Sequence, residues 1–161
     1  MIPEKINLLS GLQIFAQDIE SMAGFTLVEI MIVVAIITLL ASLAIPGLLR
    51  ARLNTNESSA LSSLQTISTS AQSYWAVNSK YPSVLSMLST ASPPYIDSVL
   101  GSGSKHGYSF SFSGSTYIFN ATARPQEYTK SGTRSFFIDQ SGVVRFTTQD
   151  AAATSIDSPV E

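Results

Sequence analysis

One acidic side chain is out of place. Glu29 carries the only charge between Phe25 and Leu49, in the run FTLVEIMIVVAIITLLASLAIPGLL. A carboxylate in such a run costs on the order of a few kcal/mol and needs a partner. No Lys or Arg lies within a helical turn or two of it. A cut between Gly24 and Phe25 would supply one, because the freed amine is positive near neutral pH. On its own helix that amine is poorly placed to satisfy Glu29. On a neighbouring, axially shifted copy it meets Glu29 directly. In low dielectric such a pair is favourable only when both partners are present. The pair would therefore set the register between identical helices.

Other reactive groups do not converge. His106 is the single histidine, and it falls in a Gly/Ser-rich stretch that reads as an exposed loop. No Ser/His/Asp order or phosphate-binding glycine loop stands out. Asp97, Asp139, Asp150 and Asp157 are dispersed, with no dense oxygen-ligand run for calcium. There is no cysteine, so neither a disulfide nor a thiolate metal site is possible. Asn56-Glu57-Ser58 and Asn120-Ala121-Thr122 match the glycosylation pattern, which is common by chance. The net charge is −2 and only 12% of residues are charged. Nucleic-acid binding needs clustered Lys and Arg, so it is not expected. The expectation is a protein without catalytic residues, metal or cofactor.

The elements that position Glu29 begin with the apolar run. It is long enough, at ~1.5 Å per residue, to cross a hydrocarbon core of about 30 Å. A secretory signal peptide is one alternative, with a small-residue site at Ala41 to Ala44. It fits poorly, since an apolar h-region is usually about 7–15 residues after a short basic segment. Here the preceding residues hold Glu4, Asp18 and Glu20 against Lys5 alone. A plain transmembrane anchor is a second alternative, which leaves Glu29 unexplained. Pro46 lacks an N–H, so the carbonyl of Ser42 loses its helical partner, and Gly47 adds softness. A kink or melted turn is expected there. Ala60, Leu61, Leu64, Ile67, Ala71, Tyr74 and Trp75 then follow at spacings of three and four, which predicts an amphipathic helix with these residues in the core.

That helix should stop near Asn78 to Pro82. A short helix is expected over Ser83 to Thr90, with Val84, Leu85 and Leu88 inward. Ala91 to Gly107, rich in Pro, Gly and Ser, reads as an exposed connecting loop. Alternation predicts one hairpin from Tyr108 to Thr122 and a second from Thr133 to Thr147. The fold class is α+β: a long N-terminal helix on a sheet of about four antiparallel strands. The tail from Gln149 to Glu161 is expected to be loose.

Gly24-Phe25-Thr26-Leu27-Val28-Glu29, the apolar run behind it and Pro46 near its end resemble the start of a bacterial type IV pilin precursor. Type II secretion pseudopilins share the signature. The resemblance covers about the first third of the chain, and the helix-plus-sheet layout is also similar to the family's globular domain. One departure is the absence of any basic residue in Asp18 to Ala23, just before Gly24. The resemblance implies that a membrane-embedded prepilin peptidase cuts after Gly24 and methylates the Phe25 amine. It implies that Glu29 pairs with that amine in the adjoining subunit. It also implies an inner-membrane assembly platform, driven by an ATPase, that moves the subunit into a helical filament.

The expected divisions are a leader over 1–24, a transmembrane and filament-core helix over 25–49, its amphipathic half over 50–78, and a loop and sheet region over 79–161. The expected function is a structural subunit of a type IV pilus, partnered by copies of itself and by other pilins. The alternative is the major pseudopilin of a type II secretion system. A membrane-tethered periplasmic binding module or enzyme is the rival from another class. The subunit is expected in the inner membrane first, then in a surface pilus or periplasmic pseudopilus.

Overall fold

The computed structural model describes residues 24–160, so the leader expected over 1–24, apart from Gly24, lies outside the described residues. The architecture is α+β. Among the described residues the first element is a helix of 52 residues, α1 (Leu27–Asn78). Two short helices follow, α2 (Ser86–Thr90) and α3 (Ser98–Gly101). Six strands then form one antiparallel sheet in sequence order: β1 (Ser104–Lys105), β2 (Tyr108–Gly114), β3 (Phe119–Pro125), β4 (Ser135–Asp139), β5 (Arg145–Thr147) and β6 (Ser158–Pro159). The chain divides into two compact units, the first ending at Ile45 and the second beginning at Pro46.

Within the first unit the apolar side chains of α1 are exposed, with Ala41 alone half-buried. In the second unit α1 buries one face. Glu57, Ala60, Leu64, Ile67 and Ala71 fall inside at alternating spacings of three and four, the period of one helical stripe. Of these, Ala60, Leu64 and Ile67 share a core with Leu88, Leu100, Tyr108, Phe110, Phe136 and Ile138. In the sheet, Phe110 lies opposite Ala123, and Ala123 opposite Phe136. Phe112 and Ile138 flank Ala121 in the same way. Large residues thus alternate with small ones across β3, which lets one face fill without overpacking.

Polar side chains also tie α1 to the sheet. Glu57 is 4% exposed. Its carboxylate accepts from the Thr133 N–H at 2.9 Å, the Thr133 hydroxyl at 2.8 Å and the Arg134 Nε at 2.7 Å. The Tyr108 hydroxyl donates to the Arg134 carbonyl at 2.8 Å. Arg134 also lies over the rings of Phe136 and Phe146, 5.5 Å from each centroid. Burial opposes ionisation of Glu57. The hydrogen bonds from Thr133 and Arg134, with the arginine's charge, more than offset it and hold the carboxyl below its usual range. Burial, reinforced by the charge of Glu57, keeps the Tyr108 phenol protonated well above its ordinary range. Beside Glu57 on the same helix, the Asn56 amide donates to the Ser131 carbonyl at 2.9 Å, and the Ser59 hydroxyl meets His106 Nδ1 at 2.5 Å.

Several local expectations are corrected. The sheet has six strands rather than about four, because short strands β1 and β6 cap its two edges. The tail is not loose. Ser158 and Pro159 pair with β5, the Val160 N–H donates to the Val144 carbonyl at 2.8 Å, and Ala153 is buried. The stretch from Ala91 to Gly107 is not a plain exposed loop. It contains α3, whose N-cap Asp97 accepts from the Leu100 N–H, and it buries Ile96 and Leu100. The short helix begins at Ser86 rather than Ser83. Leu85 and Leu88 are buried, but Val84 is 48% exposed. Trp75 is not core. It sits 42% exposed at the rim, stacks on Tyr81, and donates its indole N–H to the Thr116 carbonyl at 3.2 Å. A Trp N–H needs a partner, and the rim supplies one that an apolar core does not. His106 is exposed, as its loop position suggested.

Candidate functional site

The start of α1 is built by its cap. Thr26 precedes the first helical residue, and its hydroxyl accepts from the Glu29 N–H at 3.1 Å. The Thr26 carbonyl takes the first helical bond, from the Ile30 N–H at 3.2 Å. Thr26 to Glu29 is the Thr-x-x-Glu pattern of a capping box. Its threonine half is formed, and Glu29 places an acid in the first turn, where the helix dipole favours negative charge. Thr26 is a role the motif alone did not single out. The signal was there, in the spacing of Thr26 to Glu29.

Gly24, Phe25 and Thr26 lie outside the helix, in chain with no regular secondary structure. Phe25 is 78% exposed and Leu27 76%. A Cβ added at Gly24 would meet no atom within 4 Å. Packing therefore gives no reason for glycine at that position. Glu29 is exposed and forms no ion pair with any described residue. An ammonium at Phe25, one residue before the cap, would face the positive end of the helix dipole. Such a charge gains from a carboxylate brought by another molecule.

Behind this junction α1 presents a window of mean hydropathy 2.7, none of it buried, long and apolar enough to cross a membrane. Thr38 and Ser42, the hydroxyl residues of the run after Thr26, return their protons to the Val34 and Leu39 carbonyls at 2.8 and 2.7 Å. That hides their polarity from an apolar medium. Pro46 lies inside α1, at the first residue of the second unit, and Gly47 beside it has no atom within 4 Å of an added Cβ.

Among the described residues there is no group of three or more His, Cys, Asp or Glu that could hold a metal ion. Among the described residues the one salt bridge with a buried member, Glu57 to Arg134, is satisfied within the chain. A concave region of about 410 Å³ beside β3, lined by Ser109, Arg124, Gln126, Tyr128 and Asp150, has most of its polar groups engaged. Arg124 pairs with Asp150 at 2.8 Å, Gln126 with Ser104 at 2.6 Å, and the Tyr128 hydroxyl with the Thr148 carbonyl. Of the two glycosylation-like patterns, Asn56 is half-buried in α1 with its amide bonded to Ser131, whereas Asn120 is exposed on β3.

Residues 21–45 match the family described as the prokaryotic N-terminal methylation motif. The chain is also similar to the type IV major pilin protein PilA of Myxococcus xanthus (strain DK1622), at 40% identity over 58 residues. That match covers 36% of this chain and 26% of the relative. The chain therefore carries the N-terminal methylation motif of type IV prepilins, set at the head of its long apolar helix.

Proposed function

We propose that this protein is a structural subunit of a type IV pilus, polymerising through α1 after prepilin peptidase cuts between Gly24 and Phe25. The observation that carries this is the junction itself. A glycine that packing does not require and an exposed Phe precede a capped apolar helix, whose first turn holds a carboxylate with no partner among the described residues. The methylation motif spans these residues. In this reading the Phe25 amine is methylated, and Glu29 of one subunit takes the Phe25 amine of the next. Pro46 and Gly47 let α1 bend or unwind when the subunit leaves the membrane for the filament. The peptidase and an inner-membrane assembly platform are its partners before assembly, and other pilins afterwards.

Intact-mass measurement and terminal sequencing of fibre subunits test the processing step. A start at methylated Phe25 is expected. A start after Ala44 would restore the signal-peptide reading and end this one. Long fibres of this subunit on cells are expected; a short periplasmic pseudopilus alone would move it to the secretion alternative.

A further inference from the structure

We propose that Arg50 and Arg52 bind the phosphates of membrane lipid headgroups and so fix how deeply α1 sits in the bilayer. This rests on the membrane-anchored reading of α1 given above. Both arginines lie in α1 directly after Leu49, where the apolar run ends, and both are exposed. Neither forms an ion pair with a described residue. The sequence holds no Asp or Glu between Glu29 and Glu57, and Glu57 is taken by Arg134.

Length places them. From Leu27 to Leu49 a helix rises about 33 Å, against a hydrocarbon core of about 30 Å. Leu49 therefore reaches the edge of the core when Leu27 sits at the other edge. The guanidinium groups, one and three residues farther on, then stand at the level of the phosphates. Their alkyl stems remain against the apolar boundary.

Angle selects the partner. Two residues apart on a helix is about 200° around the axis, so the two side chains leave nearly opposite faces. One acidic group on a single neighbouring protein meets only one of them. Headgroups surround the helix and meet both. The guanidinium fork matches two phosphate oxygens at once, which an ammonium does not. Two basic residues at an anionic surface together enrich binding up to roughly thirtyfold.

The chain has no cysteine, so one introduced cysteine is a unique label site. The full chain carrying Ala51→Cys is spin-labelled in vesicles of phosphatidylcholine with phosphatidylglycerol at about 3:1, where two arginines are worth the most. Collision with oxygen and with a polar relaxant reads label depth. A fluorescent label at the same cysteine reads local enrichment of labelled phosphatidylglycerol. The expected result is a label at headgroup level with severalfold phosphatidylglycerol enrichment. In Arg50→Gln/Arg52→Gln the enrichment should vanish and the depth should shift. Arg50→Lys/Arg52→Lys should restore the depth and part of the enrichment. Equal depth and enrichment in the parent and the Gln variant would overturn the proposal while leaving the anchor reading intact. A separate label at Val33→Cys that behaves as water-exposed would show that α1 does not insert. The anchor reading would then fail, and this inference with it.

Discussion

Glu57→Ala should destabilise the second unit by about 2–3 kcal/mol. Breaking a buried ion pair by removing one partner costs roughly 3–5 kcal/mol, because the other charge is left uncompensated. Here Glu57 is buried but the Arg134 side chain is 35% exposed, so water recovers part of that loss and the figure is scaled down accordingly. The substitution also strands the Thr133 N–H, which points at Glu57 from 2.9 Å. An unmet donor of this kind costs ~1–3 kcal/mol where it is buried, and less here because Thr133 itself is exposed. For a unit of this size a loss of 2–3 kcal/mol lowers Tm by roughly 10 °C. The assay is thermal and urea unfolding of the full chain in detergent, followed through Trp75. Arg134→Met added to Glu57→Ala should then cost less than the sum of the two single changes, because the stranded charge is gone. A Glu57→Ala variant within about 0.5 kcal/mol of the parent would mean that ordinary surface effects account for the site. The ion pair would then contribute nothing.

Acid should act on the same node. The folded state holds the Glu57 carboxyl below its ordinary value of 4.5, so its contribution is complete above that pH and is lost as pH falls through the lower folded value; Glu57→Gln should flatten this part of the stability profile. Gly24→Leu should leave uncut, full-length precursor in the membrane with its globular unit folded, as read by immunoblot and circular dichroism, because no packing contact at Gly24 is disturbed. Glu29→Gln should insert and be cut but enter fibres at less than a tenth of the normal yield, as measured in sheared-pilus fractions, since losing about 1.4 kcal/mol of pairing already gives tenfold. Normal yield and stagger from Glu29→Ala would remove the pairing mechanism. A fibre map should lack helical hydrogen bonds across Ser42 to Gly47, and a straight, fully bonded helix there would contradict the role given to Pro46.

Much of the fold was legible because it is written in short periods. The spacing of Ala60, Leu64, Ile67 and Ala71 named the buried stripe of α1, and Tyr108-Ser109-Phe110-Ser111 named β2 and its inner face. What escaped depends on distant partners. β6 is two residues long and contains Pro159, so nothing local marks it; it exists because β5 offers an edge. Ile96 and Leu100 sit among Pro, Gly and Ser that read as a loop, yet both are buried with Leu88. Glu57 was missed although it lies three residues before Ala60, in phase with the apolar stripe. A charge on that stripe signals a buried partner, but Arg134 is 77 residues away and no period links them.

The two glutamates of α1 divide the work of the chain. Each is a charge where apolar contacts prevail, and each therefore needs a counter-charge and donors. Glu57 finds both within its own chain, in Thr133 and Arg134, and that closes the unit on itself. The Glu29 carboxylate finds no cation among the described residues, and the Thr26 hydroxyl serves its backbone N–H, not its side chain. A water-exposed helix would tolerate that, since solvent satisfies the carboxylate. A helix whose neighbouring side chains are Leu27, Val28, Ile30, Met31, Ile32 and Val33 does not remain in water. Once those side chains are covered, by lipid or by copies of α1, the carboxylate must be neutralised. Under the proposed processing, a second chain bearing a free amine at Phe25 would neutralise it without a foreign partner. On the proposed reading the chain closes its folded unit through Glu57 and is left incomplete alone at Glu29, a pairing of properties that polymerisation of a folded building block would demand.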